Sequence, residues 1–145
     1  MKPLITRADV IRLVPLLSVP DNYDFATDIL LASKQLSTSL FNPDSWEALI
    51  AARSGAGFTP LQSLCWHKLE TVLAYRTALF SLPLIMAQQP ATADSSPFTQ
   101  LQYRLSSLSR FYEKELEQWL HIHAPQWLST SKEGSTQFGL YIPKS

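Results

Sequence analysis

Apolar residues recur at intervals of three and four from Thr6 to His123, the period of helices buried along one side. Thr6-Arg7-Ala8-Asp9 opens the first helix. The threonine can cap it, and the carboxylate three positions on can return a bond to the cap and meet the positive helix end. Val10, Leu13, Val14 and Leu17 follow at helical spacing, and Pro15, which lacks an N–H, makes this helix short or bent before Ser18. After the turn Val19-Pro20-Asp21-Asn22, a second stripe runs through Phe25, Ile29, Ala32, Leu36 and Leu40, with Asp24, Asp28, Lys34 and Gln35 off it. Asn42-Pro43-Asp44 supplies a cap, a first-position proline and a first-turn acid for a short third helix. Its buried side is expected to be Trp46, Leu49 and Ile50, and Ser54-Gly55-Ala56-Gly57 stops it.

Thr59-Pro60-Leu61-Gln62 is the strongest local signal: a cap, a proline at the first helical position and a glutamine that completes the capping box. Leu61, Leu64, Cys65, Lys68, Leu69, Val72, Leu73, Arg76, Leu79 and Phe80 then carry two faces, one mainly apolar, and the helix is predicted to end near Leu82-Pro83. Ser95-Ser96-Pro97 starts the last helix after a polar loop. Its stripe is Leu101, Leu105, Leu108, Tyr112, Leu116, Trp119 and His123, and Pro125 closes it. Beyond Trp127 the composition changes. Residues 128–137 are rich in Ser, Thr and Gly and read as a flexible linker, and Phe138-Gly139-Leu140-Tyr141-Ile142-Pro143 is an isolated β-prone, apolar segment. With no partner strand in the sequence, that segment must dock on its own bundle or on another chain. The expected architecture is an all-α bundle of four to five helices over residues 1–127. An extended C-terminal segment over 128–145, a linker and docking tail, can add a short strand.

Composition narrows the function classes. The chain has 145 residues, one domain's worth, and only 17% are charged against roughly 25% in an ordinary soluble domain. A weakly charged surface fits one covered by neighbouring subunits. Twelve basic residues balance twelve acidic ones, which argues against a general polyanion binder. The first ten residues lack the apolar run of a secretory signal. Between Arg76 and Asp94 the apolar part amounts to about ten residues, short of the ~20 that cross a bilayer. Cys65 is the only cysteine, so no internal disulfide forms. A soluble protein made in the cytosol, without a membrane partner, is expected.

Candidate catalytic chemistry does not accumulate. His121 and His123 are two positions apart, roughly 200° around a helix, and no acidic or thiol cluster at metal spacing accompanies them. Cys65 and His67 diverge in the same way, and Cys65 sits among Leu61, Leu64 and Leu69 as a buried, inert thiol would. Glu113, Glu115 and Glu117 read as a solvated helix face. Ser54–Gly57 lacks the lysine and spacing of a phosphate loop. Arg53, Lys68 and Arg76 supply too little charge for a helix-turn-helix to hold DNA at physiological salt. No catalytic residue, metal ligand or cofactor-binding residue is named, and no cofactor is expected. Assembly remains. With four tryptophans and twelve Phe and Tyr residues the chain has many large anchors, most of them core. Trp127, Phe138, Leu140, Tyr141 and Ile142 lie outside every helix stripe and are the expected subunit interface.

The order of elements resembles the head–tail connector (adaptor) proteins of tailed bacteriophages. The likeness covers roughly residues 4 to 85. It comprises the opening Leu4-Ile5-Thr6-Arg7-Ala8-Asp9-Val10, an amphipathic helix similar to Phe25–Leu40 with Ala32 inside it, a Trp-containing short helix such as Pro43–Leu49, and a long helix like Leu61–Phe80. The long last helix, Phe98 to His123, and the tethered tail depart from that pattern. The resemblance implies a structural virion protein without catalysis, synthesised in the host cytoplasm and located at the head–tail junction. Its copies would form a homo-oligomeric ring between the portal protein and the tail or neck proteins, letting DNA pass without sequence-specific binding. Two other classes fit the residues: a non-viral cytosolic helical adaptor or small oligomeric regulator and, with less support, a DNA-binding regulator.

Overall fold

A computed structural model describes residues 4–88 and 96–129. Five α-helices pack together: α1 (Arg7–Leu13), α2 (Ala26–Ser39), α3 (Pro43–Ala51), α4 (Pro60–Ala87) and α5 (Ser96–His123). There is no strand among the described residues. The all-α bundle expected from the hydrophobic period is the fold observed.

The predicted caps form. Thr6 accepts from the Asp9 N–H at 3.3 Å while the Asp9 carboxylate accepts from the Thr6 N–H at 2.9 Å, which closes a reciprocal box at the start of α1. Asn42 accepts from the Ser45 N–H at 2.8 Å ahead of Pro43. Thr59 and Gln62 exchange bonds of 2.9 and 3.1 Å ahead of α4. After α3 the chain widens into a π-helical turn, Ala52–Ala56, which ends where the Gly57 N–H reaches the Ala52 carbonyl at 2.9 Å. Gly57 has φ of 84°, a left-handed conformation that a residue without Cβ adopts freely.

Helix α4 is the axis of the bundle. It packs against α1, α2 and α5, and in its middle the consecutive residues Val72, Leu73, Ala74 and Tyr75 are all buried. A helix with neighbours on several sides is apolar nearly all round, so its sequence shows less of a stripe than α2 or α5. By length and composition α4 could cross a bilayer, yet more than half of its most apolar window is buried inside the bundle. The buried apolar residues of the five α-helices, together with Ala124 and Leu128, form one continuous core.

Four expectations need correction. Helix α4 does not end at Leu82-Pro83; it continues to Ala87 with Pro83 inside it, on the exposed side. An interior proline costs about 3 kcal/mol. Flanking Leu82 and Ile85 are both almost fully buried, and at about 1.5–3 kcal/mol each their burial offsets that cost. Asp28 is not on the solvent side of α2. It is 4% exposed, and the Tyr23 hydroxyl donates to its carboxylate at 2.6 Å. On α5 the buried line runs through Leu105, Ser109, Leu116, Leu120 and Ala124, so Leu120 replaces Trp119 as the core residue and His123 is exposed. Finally, Leu128 does not belong to a linker. It is 2% exposed and pairs with Phe41 in an antiparallel bridge, and the Ser129 N–H donates to the Leu40 carbonyl at 3.1 Å. The bundle therefore extends through Ser129.

Candidate docking surface

Residues 124–129 bend back across the connection between α2 and α3. A single 3₁₀ turn, Pro125–Trp127, brings the chain alongside Leu40–Asn42. The Asn42 N–H donates to the Trp127 carbonyl at 2.9 Å, the Ser45 hydroxyl donates to the same oxygen at 2.8 Å, and the Asn42 amide reaches the Gln126 carbonyl at 2.7 Å. Asn42 thus caps α3 and straps down the chain end with one side chain. This strap leaves Trp127 half-buried and packed against the core, lining a small cleft with Phe41, Ala48, Leu49 and Gln62. Phe138, Leu140, Tyr141 and Ile142 lie outside the described residues, as does the linker from residue 130.

On another face of the bundle an apolar groove of about 380 Å³ lies open between α2 and α3 among the described residues. Ala26, Ile29, Leu30 and Ser33 of α2 form one wall, Trp46 and Ile50 of α3 the other, and Leu4 closes it, with Thr27, Lys34 and Ser37 also lining it. One arginine anchors Leu4 at the end wall, and a second ties α1 to the turn before α2. The Arg53 side chain donates to the Leu4 carbonyl at 3.0 Å, and Arg7 donates to the Tyr23 and Pro20 carbonyls at 2.9 and 3.0 Å. The Ser33 hydroxyl is spent on the Ile29 carbonyl at 2.7 Å, which leaves the groove floor apolar. Its volume falls at the small end of the ~300–1,000 Å³ typical of ligand pockets.

The stripe of α2 did not point to this surface, because Leu30 lies off it beside Ile29 and is 44% exposed. The legible signal was the pair Leu30-Leu31, two large apolar residues on what should have been a polar face. Trp46 and Ile50, expected to be buried by α3, are instead only half-buried and line the groove.

The titratable groups singled out in the sequence do not gather into one cluster among the described residues. His121 lies 3.9 Å from Glu117 on the same helix, and the His123 ring packs 5.1 Å from Trp119. Cys65 is fully buried, and that burial pushes its thiol up to about 12. Glu113 is not simply solvated: its carboxylate pairs with Arg76 of α4, which also donates to Gln35 of α2 at 2.9 Å, tying three helices together. No group of three His, Cys, Asp or Glu side chains is placed to hold a metal ion among the described residues. No protein-family model, curated protein or solved structure matches the chain.

Proposed function

We propose that this chain is a structural assembly protein, a head–tail connector (adaptor) whose copies form a ring between portal and tail around the DNA channel of a tailed-phage virion. The observation that carries an assembly role is the open apolar groove between α2 and α3. The order of elements supports the connector class: a capped α1, an amphipathic α2, the Trp46-bearing α3 and a long α4 follow one another as the resemblance requires. Equal numbers of acidic and basic residues suit a channel wall past which DNA slides without being gripped. A ring needs heterologous contacts, in which one patch meets a different patch on the next copy, and a groove with a donated tail meets that condition.

Native mass across a concentration series, with electron imaging of the largest species, tests the proposal. A discrete closed ring is expected for the full chain. A dimer that never grows would favour the small cytosolic adaptor, and a salt-dependent shift with duplex DNA would favour the regulator.

A further inference from the structure

We propose that the α2–α3 groove is the receptor for residues 138–142 of a neighbouring copy of this chain. This deepens the ring proposal and rests on it for the choice of a neighbour over the same copy. Groove length and segment length agree. From Ala26 to Ser37 the groove follows α2 for eleven residues, about 16 Å at 1.5 Å per residue. An extended chain sends alternate side chains to one face, so Phe138, Leu140 and Ile142 would share a face and span about 13 Å. Gly139 adds no bulk between the first two.

Groove chemistry also agrees with this occupant. Ile29, Leu30, Trp46 and Ile50 offer apolar surface, and the one buried hydroxyl, Ser33, already has its partner. Thr27, Lys34 and Ser37 add polar groups to the lining, but Ile29, Leu30, Trp46 and Ile50 offer a charged ligand no hydrogen-bond partner, whereas an aromatic and two aliphatic anchors suit them. The tether fits as well. The tether begins after Ser129, which is bonded to Leu40 at the C-terminal end of α2. The eight residues 130–137 reach at most about 29 Å. A bundle of this size has a radius of gyration of about 14 Å, so the tether crosses to a copy in contact.

Two full-length variants test this directly. Leu30→Asp places a carboxylate in the groove at an already exposed position, and Phe138→Asp with Ile142→Asp spoils the segment; far-UV circular dichroism checks that both keep wild-type helicity. Each variant alone should fail to assemble. Mixed together they should form a one-to-one complex that grows no further, because one copy retains only a groove and the other only a tail. A peptide of residues 136–145 should bind the tail-spoiled variant and lose tenfold or more in affinity once Leu30→Asp is added. A mixture that stays monomeric overturns the proposal, including the case where the peptide binds, since the segment then docks within its own copy. A full-length Leu30→Asp chain that still assembles like the wild type also overturns it, while leaving the ring proposal standing. If the mixed pair forms but the wild type never closes a ring, the groove assignment holds and the connector reading fails.

Discussion

Truncating Leu128 tests the claim that the bundle extends through Ser129. Its side chain is 2% exposed and belongs to the continuous core, although it sits one residue past the last helical turn. Leu→Ala at buried sites costs about 2–5 kcal/mol, depending on how far the cavity collapses. Near a chain end, where neighbours can relax, the lower part of that range applies, and Leu128→Ala should cost about 2–3 kcal/mol. Against a total stability of about 5–15 kcal/mol this is a large loss. With a urea m value of about 2 kcal/mol per molar, the midpoint should fall by roughly 1–1.5 M. A chain ending at Ser129 should keep the wild-type stability within about 0.5 kcal/mol, because it retains every core residue among those described. A chain ending at Trp127 should lose more than Leu128→Ala does. It also gives up the bond from the Ser129 N–H to Leu40 and that from the Asn42 amide to the Leu128 carbonyl, each worth about 1 kcal/mol. The assay is urea unfolding followed by circular dichroism at 222 nm. A Leu128→Ala midpoint indistinguishable from wild type would refute the reasoning and return residue 128 to the linker. The result also decides where a tail deletion can be cut without disturbing the bundle.

Pro83→Ala should stabilise the protein by about 1–2 kcal/mol. It supplies an N–H for the Leu79 carbonyl inside α4, less the entropy the proline removes from the unfolded chain; an unchanged or lower melting temperature would contradict this. Burial, foremost, raises the Asp28 carboxyl above its ordinary value; the Tyr23 bond opposes the rise and nearby Asp24 adds to it. A raised folded pKa means that this contribution to stability is fully present below the unfolded value of about 3.9 and is lost as pH rises through the folded value. Asp28→Asn should therefore flatten the decline of the urea midpoint between pH 3 and pH 7, and parallel curves for variant and wild type would argue against a buried carboxylate. Cys65, its thiol pushed up to about 12, should resist a thiol reagent at pH 8 in the folded protein and react fully in denaturant; rapid labelling of the native chain would mean that α4 opens locally.

The starts of α1, α3 and α4 were legible in the sequence because each is decided within four residues. Thr6 with Asp9, Asn42 with Ser45, and Thr59 with Gln62 satisfy N–H groups of the same turn, and no distant partner has to agree. The stop at Gly57 is equally local, since it depends on backbone freedom at one residue. Tertiary structure alone decided the rest. Whether Pro83 ends a helix depends on how much burial Leu82 and Ile85 gain by continuing, and that is a property of the helices packed around them. Asp28 is inside because the Tyr23 hydroxyl, five residues earlier, is brought against it when the turn before α2 folds. Leu128 is in the core because Asn42 and Ser45, more than eighty residues earlier, present bonding groups to the returning chain. The groove belongs to this second class. Periodicity reports which residues of a helix face inward, but an uncovered gap between α2 and α3 exists only once both helices are placed, since neither sequence stripe records the space between them.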